Sequence, residues 1–567
     1  MARTAAIGIQ DFGKLIKNNC FYVDKTWFIR QWWENMDDVT LITRPRRFGK
    51  TLTMRMVEQF FSVDYAKEQA VFEKLKIWQD ERYRKMQGTY PVIFLSFSSV
   101  KGRSYEAARV MICQIFTGLY ARNRFLLDGD LLSESEKEYF HSVCDTMEEY
   151  TAMPALHRLS EFLYRYYKKK VLILLDEYDT PMQEAYLCGY WEELTGFVRG
   201  IFHAAFKDNP YMERAILTGI TRVSKESVFS DLNNLEVITA TSRKYETAFG
   251  FTEEEVFEAL EEFGLSDRKQ EVKYWYDGFC FGKQDCIYNP WSVIHFLGKK
   301  KLGAYWVNTS SNSLAGKLIC EGDLETKLIM EDLMVGKSFH TQMDEEIIFK
   351  QLNRKKSAVW SLFVASGYLK IVKTIQNRRG KQEYVLALTN REVLMMFDDM
   401  AMDWFSSRRR EYHEFSDALL SGNKVFMNEY LNEIAQETFS SFDTGAKPSE
   451  YKQPENFYHG FVLGLIADLR SLYQITSNRE SGYGRYDVVL DPLEQTDGDG
   501  IILEFKVQDT KCEKSLQDTV KTALRQIIEK KYAAALLAKG MRRERIRIYG
   551  IAFHGKQILV DGGALSD

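Results

Sequence analysis

Residues 171–175 read Val-Leu-Ile-Leu-Leu, five apolar β-formers in a row, and Asp176-Glu177 close the run. A strand without polar alternation has no face to give to water. It must be covered on both sides, as the central strands of a helix-flanked parallel sheet are. Three more runs share this character: "VTLIT" at Val39–Thr43, "YPVIFLSF" at Tyr90–Phe97 and "RAILTGITR" at Arg214–Arg222. Helical patterns separate them, so residues 1–245 are expected to form an α/β domain around a parallel sheet.

The pattern changes after Tyr245. "FTEEEVFEALEEF" carries a capping box, Thr252 with Glu255, ahead of an amphipathic helix, and the turn-rich, aromatic stretches "YWYDGFCFG" and "IYNPWSVIHFL" follow. Residues 246–345 are therefore expected to form a lid or winged-helix-like module. Residues 346–450 read as a helical connecting region, with "SAVWSLFVASGYLKIV" and a second capping box at Thr389 and Glu392. Thr444–Glu455 is polar, holds two prolines and reads as a linker. Beyond it, residues 451–567 combine a helix pattern at Phe457–Leu472, the strand runs "YDVVLDP" and "GIILEFKV", a charged helix and a final strand pair, "IRIYGIAFHGKQILV". Such a mixture makes a second compact α/β domain. Several cores are expected in any case, since 567 residues exceed what one core supports.

Composition narrows the partners. The chain has 76 basic and 80 acidic residues, a net charge of −4, so any contact with a polyanion must be local. The eight cysteines form no C-x-x-C pair, and Cys280 and Cys286 read as buried or free thiols rather than zinc ligands, a usage that fits a reducing cytoplasm. The N-terminus lacks an apolar signal region and no run approaches 18 apolar residues, so a soluble cytoplasmic protein with no membrane partner is expected.

Gly49-Lys50-Thr51 supplies the second half of a phosphate-binding loop, between an apolar strand and a helical segment, while Arg44 stands where that pattern places its first glycine. By itself a Gly-Lys-Thr can be a plain helix start. The run ending in Asp176-Glu177 adds what an ATP site requires, an aspartate for the Mg²⁺ shell and a glutamate to polarise the attacking water. Thr218, Thr221 or Arg222 could sense the terminal phosphate, with a surface ion pair as the alternative for Arg222. Arg46 and Arg47 either add charge near the phosphates or face solvent or the lid.

A second constellation lies near the C-terminus. Glu504 and Lys506 sit two apart on one strand and share a face, with Phe505 directed into the core, and Asp487 ends a neighbouring strand run. Converging carboxylates and a lysine are the equipment of a metal-dependent phosphodiesterase, while a lone E-x-K pair is commonly a cross-strand ion pair. His459, Gln526 and Tyr532 are weaker candidates, with packing or capping as the alternative for His459. Glu480 and Arg485 shape a loop or touch substrate. The last 62 residues are locally basic, Lys506, Lys521, Arg525, Lys530, Arg542 and Arg543 among them, either as a solvated helical face or as a phosphate-backbone surface.

"YVDKT" at Tyr22–Thr26, "RPRRFGKT", "LLDEYDTP", "TGITRVSKESVFSDLNNL", "YDGF" and "YNPWSV" together resemble a bacterial AAA-ATPase-like family that accompanies a PD-(D/E)XK nuclease domain. The similarity covers most of Ile7 to about Leu297. "FYHGFVLGLIADL", "SNRESGYGRYDVVL", "IILEFKV" and "ALRQIIEKKY" are similar to the nuclease domain of the same two-domain family, over roughly Phe457 to Val560. The resemblance implies an N-terminal P-loop ATPase and a C-terminal restriction-endonuclease-like domain, and in that family a loop lacking the leading glycine is usual. It further implies ATP with Mg²⁺ or Mn²⁺ as cofactors. Gly49, Lys50, Thr51 and Asp176 are expected at the nucleotide, with Arg46, Arg47 and Arg222 beside it, and Glu177, Asp487, Glu504 and Lys506 in catalysis. DNA is the expected substrate, in defence or mobile-element biology. A homo-oligomer is compatible, because many such ATPases complete their site with a neighbour's arginine. The alternative is a nucleotide-dependent switch or DNA-binding scaffold with one or both sites inactive.

Overall fold

The computed structural model describes residues 3–222, 228–229, 232–307, 313–320, 324–334, 336–343, 352, 356–377, 380–406, 409–438, 462, 466, 469, 472–477, 480–481, 484–485, 488–493, 498–509, 512–554 and 557–565. The chain divides into two units, one of residues 1–318 and 333–396, the other of 319–332 and 397–567.

In the first unit, β1 (Val39–Thr43) is buried at every position and leads through a turn into helix α1 (Lys50–Phe61). Next come β2 (Val92–Ser96), α2 (Tyr105–Arg122), α3 (Ala155–Tyr167) and β3 (Val171–Asp176), the last buried along its whole length. β4 (Met212–Gly219) and β5 (Leu235–Ile238) complete a five-stranded sheet of order β2-β3-β4-β1-β5, in which every pair is parallel. Parallel pairing puts all the carboxyl ends on one edge. The turn after β1, the acidic end of β3 and Gly219 therefore meet there, with β4 lying between β1 and β3. Met54, Val57 and Phe60 of α1 pack on Ile42, Leu172, Leu174 and Ile216, which fixes the start of α1 over that edge.

A small antiparallel sheet follows, formed by β6 (Phe251–Thr252), β7 (Phe279–Phe281) and β8 (Gln284–Tyr288) in the order β6-β8-β7. Helices α4 (Glu253–Glu262) and α5 (Pro290–Lys299) accompany it. The capping box of α4 forms as its sequence predicts: the Glu255 N–H donates to Thr252 Oγ1 and the Thr252 N–H to Glu255 Oε2. Lys25 Nζ donates to the same carboxylate at 2.6 Å, an ion pair that ties the N-terminal segment to α4. Asn289 caps α5, with Pro290 in its first turn, where the missing N–H costs nothing.

The middle region is mainly helical and also holds a sheet that its sequence did not disclose, order β10-β11-β9, from β9 (Phe339–Thr341), β10 (Leu369–Gln376) and β11 (Gln382–Leu388). Helix α6 (Lys356–Ser366) ends at Gly367, whose φ of 84° turns the chain into β10. Helix α7 (Arg391–Ser406) corrects one expectation. Thr389 and Glu392 form no capping box. Thr389 Oγ1 donates to the Gly367 carbonyl, Asn390 Oδ1 accepts the Val393 N–H instead, and the Glu392 carboxylate is drawn inward to accept Ser292 Oγ and the Trp306 N–H.

The second unit contains α8 (Arg409–Ser421) and α9 (Lys424–Thr438). Its five-stranded sheet runs β12-β15-β16-β17-β18, from β12 (Tyr473–Ser477), β15 (Val488–Pro492), β16 (Gly500–Val507), β17 (Ile546–His554) and β18 (Gln557–Ala564). Only the β16–β17 pair is parallel. A separate hairpin of β13 (Glu480–Ser481) and β14 (Gly484–Arg485) pairs Glu480 with Arg485. Phe415, Leu419 and Leu431 of α8 and α9 cover Ile501, Leu503 and Phe505 on one face. Helix α10 (Leu516–Glu529) covers the other, with Ile527 and Tyr532 on Ile502 and Ile548. The Thr444–Glu455 linker and most of the Phe457–Leu472 helix pattern lie outside the described residues. Among those described, no helix is long and apolar enough to cross a membrane, and the cysteines are free thiols.

Candidate functional site

Gly49 has a φ of 80°, a conformation that glycine adopts without strain, and it directs the chain from the turn into α1. The first backbone N–H groups of α1 thus open onto the carboxyl edge of the sheet, where a helix N-terminus favours an anion. Lys50 is buried at that start, and its Nζ donates to the carbonyls of Arg44 and Pro45 at 2.9 and 2.8 Å. Burial pulls its pKa down, opposed by Glu177, Asp176 and Asp179. Arg44, at the missing glycine, is buried and turned away from the loop. It donates to the Thr43 and Thr239 carbonyls at 2.8 Å each and stacks on Phe281, 4.4 Å from guanidinium carbon to ring centroid. Burial pushes its pKa down to about 9.

Across the loop, Asp176 Oδ2 accepts Thr51 Oγ1 at 2.7 Å, and Oδ1 accepts Thr218 Oγ1. A hydroxyl and a carboxylate so paired are hard oxygen donors of the type Mg²⁺ takes. Glu177 follows with a φ of 54°, and burial with the neighbouring Asp176 raises its pKa, an environment that suits a proton acceptor. Arg47 is also left-handed, at φ 64°. Two non-glycine residues in this region, on facing segments, are the kind of local strain that gathers at functional sites.

Of these groups Arg47, Gly49, Lys50, Thr51 and Glu177 line a cavity of about 580 Å³, a ligand-sized volume, with Asp176 behind Thr51. Arg46–Thr53, Glu177 and Asp179 form its polar end, and Ile7, Ile9, Phe21, Ile294 and His295 are among its other walls. The Asn289 amide donates to the Arg46 carbonyl at 3.3 Å, and Trp291 receives the Arg47 guanidinium 4.4 Å from its ring centroid. Phe48 packs edge-on against Phe279 and Phe281. The turn-rich aromatic stretches thus hold the loop from outside.

In the second unit, Glu504 is buried on β16 and Lys506 is half-buried two residues on. They share the face toward α10, since Ile502 packs there while Leu503 and Phe505 pack on the opposite core, as the pleat requires. The Gln526 amide donates to Glu504 Oε1 and lies 3.0 Å from the hydroxyl of Tyr532. These two residues are six apart and meet because the chain turns back after α10. Val488, which follows Asp487, pairs with Leu503, which precedes Glu504. Asp487 and His459 lie outside the described residues.

Residues 6–229 match the family model "Predicted AAA-ATPase", and residues 453–562 match that of the PD-(D/E)XK nuclease superfamily. The chain joins an AAA-ATPase-like domain to a PD-(D/E)XK nuclease-superfamily domain. An "Uncharacterized protein in vnfD 5'region" of Azotobacter chroococcum mcd 1 is similar to it from end to end, 25% identical over 565 residues, 96% of each chain.

In the AAA-ATPase-like domain, Gly49, Lys50, Thr51, Asp176 and Glu177 are brought together. Arg46 is exposed and donates to Gln183 Oε1 at 3.3 Å. Arg222 is half-buried beyond β4 and does not line the cavity. Sequence reading missed Tyr178 and Asp179. Asp179 Oδ2 accepts the N–H groups of Ile220 and Thr221 and the Thr221 hydroxyl, and the Tyr178 hydroxyl donates to the Thr221 carbonyl at 2.6 Å. They fasten the turn after β4 to the acidic end of β3. The available signal was a second aspartate three positions after Asp176. In the nuclease-superfamily domain, Arg545 and Arg547 are held by Asp499, whereas Lys521, Arg525, Lys530 and Arg542 are exposed.

Proposed function

We propose that the AAA-ATPase-like domain binds and hydrolyses ATP and that the nuclease-superfamily domain cleaves DNA. The observation that carries the first half is the convergence of buried Lys50, the start of α1, Glu177 and Thr51, itself bonded to Asp176, on one end of a ligand-sized cavity. The donor set fits a magnesium–nucleotide: Thr51 and Asp176 would hold Mg²⁺, which neutralises phosphate charge when bound. Lys50 and the α1 N–H groups take the phosphates, with Arg46 and Arg47 adding charge at the mouth. Glu177 takes the proton of the attacking water.

Glu504 and Lys506, together with Asp487, form the proposed nuclease site. Glu504, which is buried, and Asp487 would hold Mg²⁺ or Mn²⁺, a Lewis acid for the scissile phosphate. Lys506 stabilises the charge that develops there, and Gln526 and Tyr532 orient Glu504. Exposed Lys521, Arg525 and Lys530 supply the electrostatic contact with the DNA backbone.

Phosphate release and nucleotide binding by wild type, Lys50→Ala and Glu177→Gln test the first half. Lys50→Ala is expected to lose ATP binding, and Glu177→Gln to bind ATP while turning over at least about a hundredfold more slowly. Undiminished binding by Lys50→Ala would refute the phosphate loop. Binding without phosphate release in wild type would favour the nucleotide-dependent switch.

A further inference from the structure

At the edge of the parallel sheet opposite the nucleotide cavity, about 17 Å away by the length of β3, lies a surface that neither proposed activity uses. The segment "LYRYYKKK", Leu163–Lys170, ends α3 and leads into β3, with four basic residues and no acid. Its tyrosines extend into neighbouring rings. Tyr164 meets Tyr211 at 5.5 Å between centroids, and Tyr166 meets both Tyr167 and Phe125 at 4.9 Å. The Val171 N–H donates to the Tyr211 carbonyl, which places Tyr211 beside the start of β3. Tyr164 and Tyr167 are one helical turn apart and so neighbouring positions on α3, which sets the two groups of rings side by side in one strip.

The strip is open to solvent. Tyr164 is 36% exposed and Tyr166 49%. Arg124, Lys168 and Lys170 are exposed around it, whereas Arg165 is committed to Glu136 at 2.7 Å. Glu161, one turn before Tyr164 on α3, is paired with Arg158 at 3.1 Å, while Asp64 acts on Tyr167 and Glu213 on Lys169. A lone exposed tyrosine means little, whereas two neighbouring groups of rings rimmed by cations select a partner with flat rings on an anionic backbone. We infer that this strip binds single-stranded nucleic acid, with bases stacked on Tyr164 and Tyr166 and phosphates met by Arg124, Lys168 and Lys170. A duplex keeps its base faces stacked inside and cannot use the rings. The inference rests on the reading of this chain as a nucleic-acid enzyme and adds a second contact, on the AAA-ATPase-like domain.

The test is binding of a fluorescein-labelled 20-nucleotide DNA strand to the full chain at fixed salt, with Tyr164→Ser/Tyr166→Ser and Lys168→Glu/Lys170→Glu compared with wild type. A matched strand carrying 5-iodouracil is photocrosslinked and the adducts are mapped. Each variant is expected to bind at least about tenfold more weakly, and the crosslinks to fall on peptides containing Tyr164 or Tyr166. Both variants should retain wild-type ATP binding, which shows that they fold. Unchanged affinity in both, or crosslinks confined to other peptides, overturns the inference. So would displacement of the strand by equimolar poly-glutamate, or a shift in oligomeric state with binding intact, which would assign the strip to a protein partner. Cleavage of DNA by the wild type reports separately on the nuclease reading, so that reading can stand while this one falls.

Discussion

Arg44 shows why a motif position and a structural position need not agree. The usual loop glycine permits a tight turn. Here the chain turns with an arginine that is buried between β1, the Thr239–Tyr245 segment and Phe281, where it satisfies carbonyls that glycine would leave bare. Arg44→Gly, which restores the general pattern, is therefore expected to destabilise the protein by about 2–4 kcal/mol, seen as a lower midpoint in thermal unfolding. An equal or higher midpoint would show that the guanidinium is dispensable. Gly49, Lys50, Thr51, Asp176 and Glu177 were legible because phosphate and metal chemistry fix both their types and their spacing. Tyr178 and Asp179 were not, because they hold backbone rather than ligand, and many residue types in many places can do that. Gln526 and Tyr532 were legible only as types, since their meeting depends on where the chain turns after α10.

Among the elements, Glu392 joins three. From the first turn of α7 its carboxylate accepts Ser292 Oγ of α5 at 2.8 Å and the Trp306 N–H at 2.6 Å. Burial outweighs those donors and raises its pKa to about 7. Because the folded state then holds the proton more tightly than the unfolded chain, stability is greatest below the ordinary carboxylate range and declines as pH rises toward 7. The decline is on the order of 3 kcal/mol. Glu392→Gln is expected to flatten the unfolding midpoint between pH 5 and 7, and a slope as steep as wild type would refute this. The misread capping box has the same origin: the residue types suit a helix start, but the neighbouring elements compete for Glu392 and win. β3 was legible since an all-apolar run has few places to go. β5 was not, because four residues with Leu235, Glu236 and Val237 half-exposed carry little pattern. The β10–β11 hairpin was obscured by the helical run that precedes Gly367.

At the scale of the whole molecule, the order of apolar runs, the aromatic stretches and the E-x-K strand sufficed to foresee two α/β domains with a largely helical region between them. The two family models fall at either end of that arrangement, and the Azotobacter relative matches along nearly its whole length. Sequence could not convey how each sheet is closed, since strand order comes from packing. The central claim is that the second unit is a metal-dependent nuclease worked by Glu504, Lys506 and Asp487. Its most direct test is cleavage of linear and circular DNA by the purified full chain, with Mg²⁺ or Mn²⁺ and with or without ATP, beside Lys506→Ala and Asp487→Ala. Wild type is expected to cut only with metal, and each variant to lose at least about a hundredfold in rate while keeping its unfolding midpoint. Cleavage that persists in both folded variants, or a wild type inert toward every DNA form, would contradict the account.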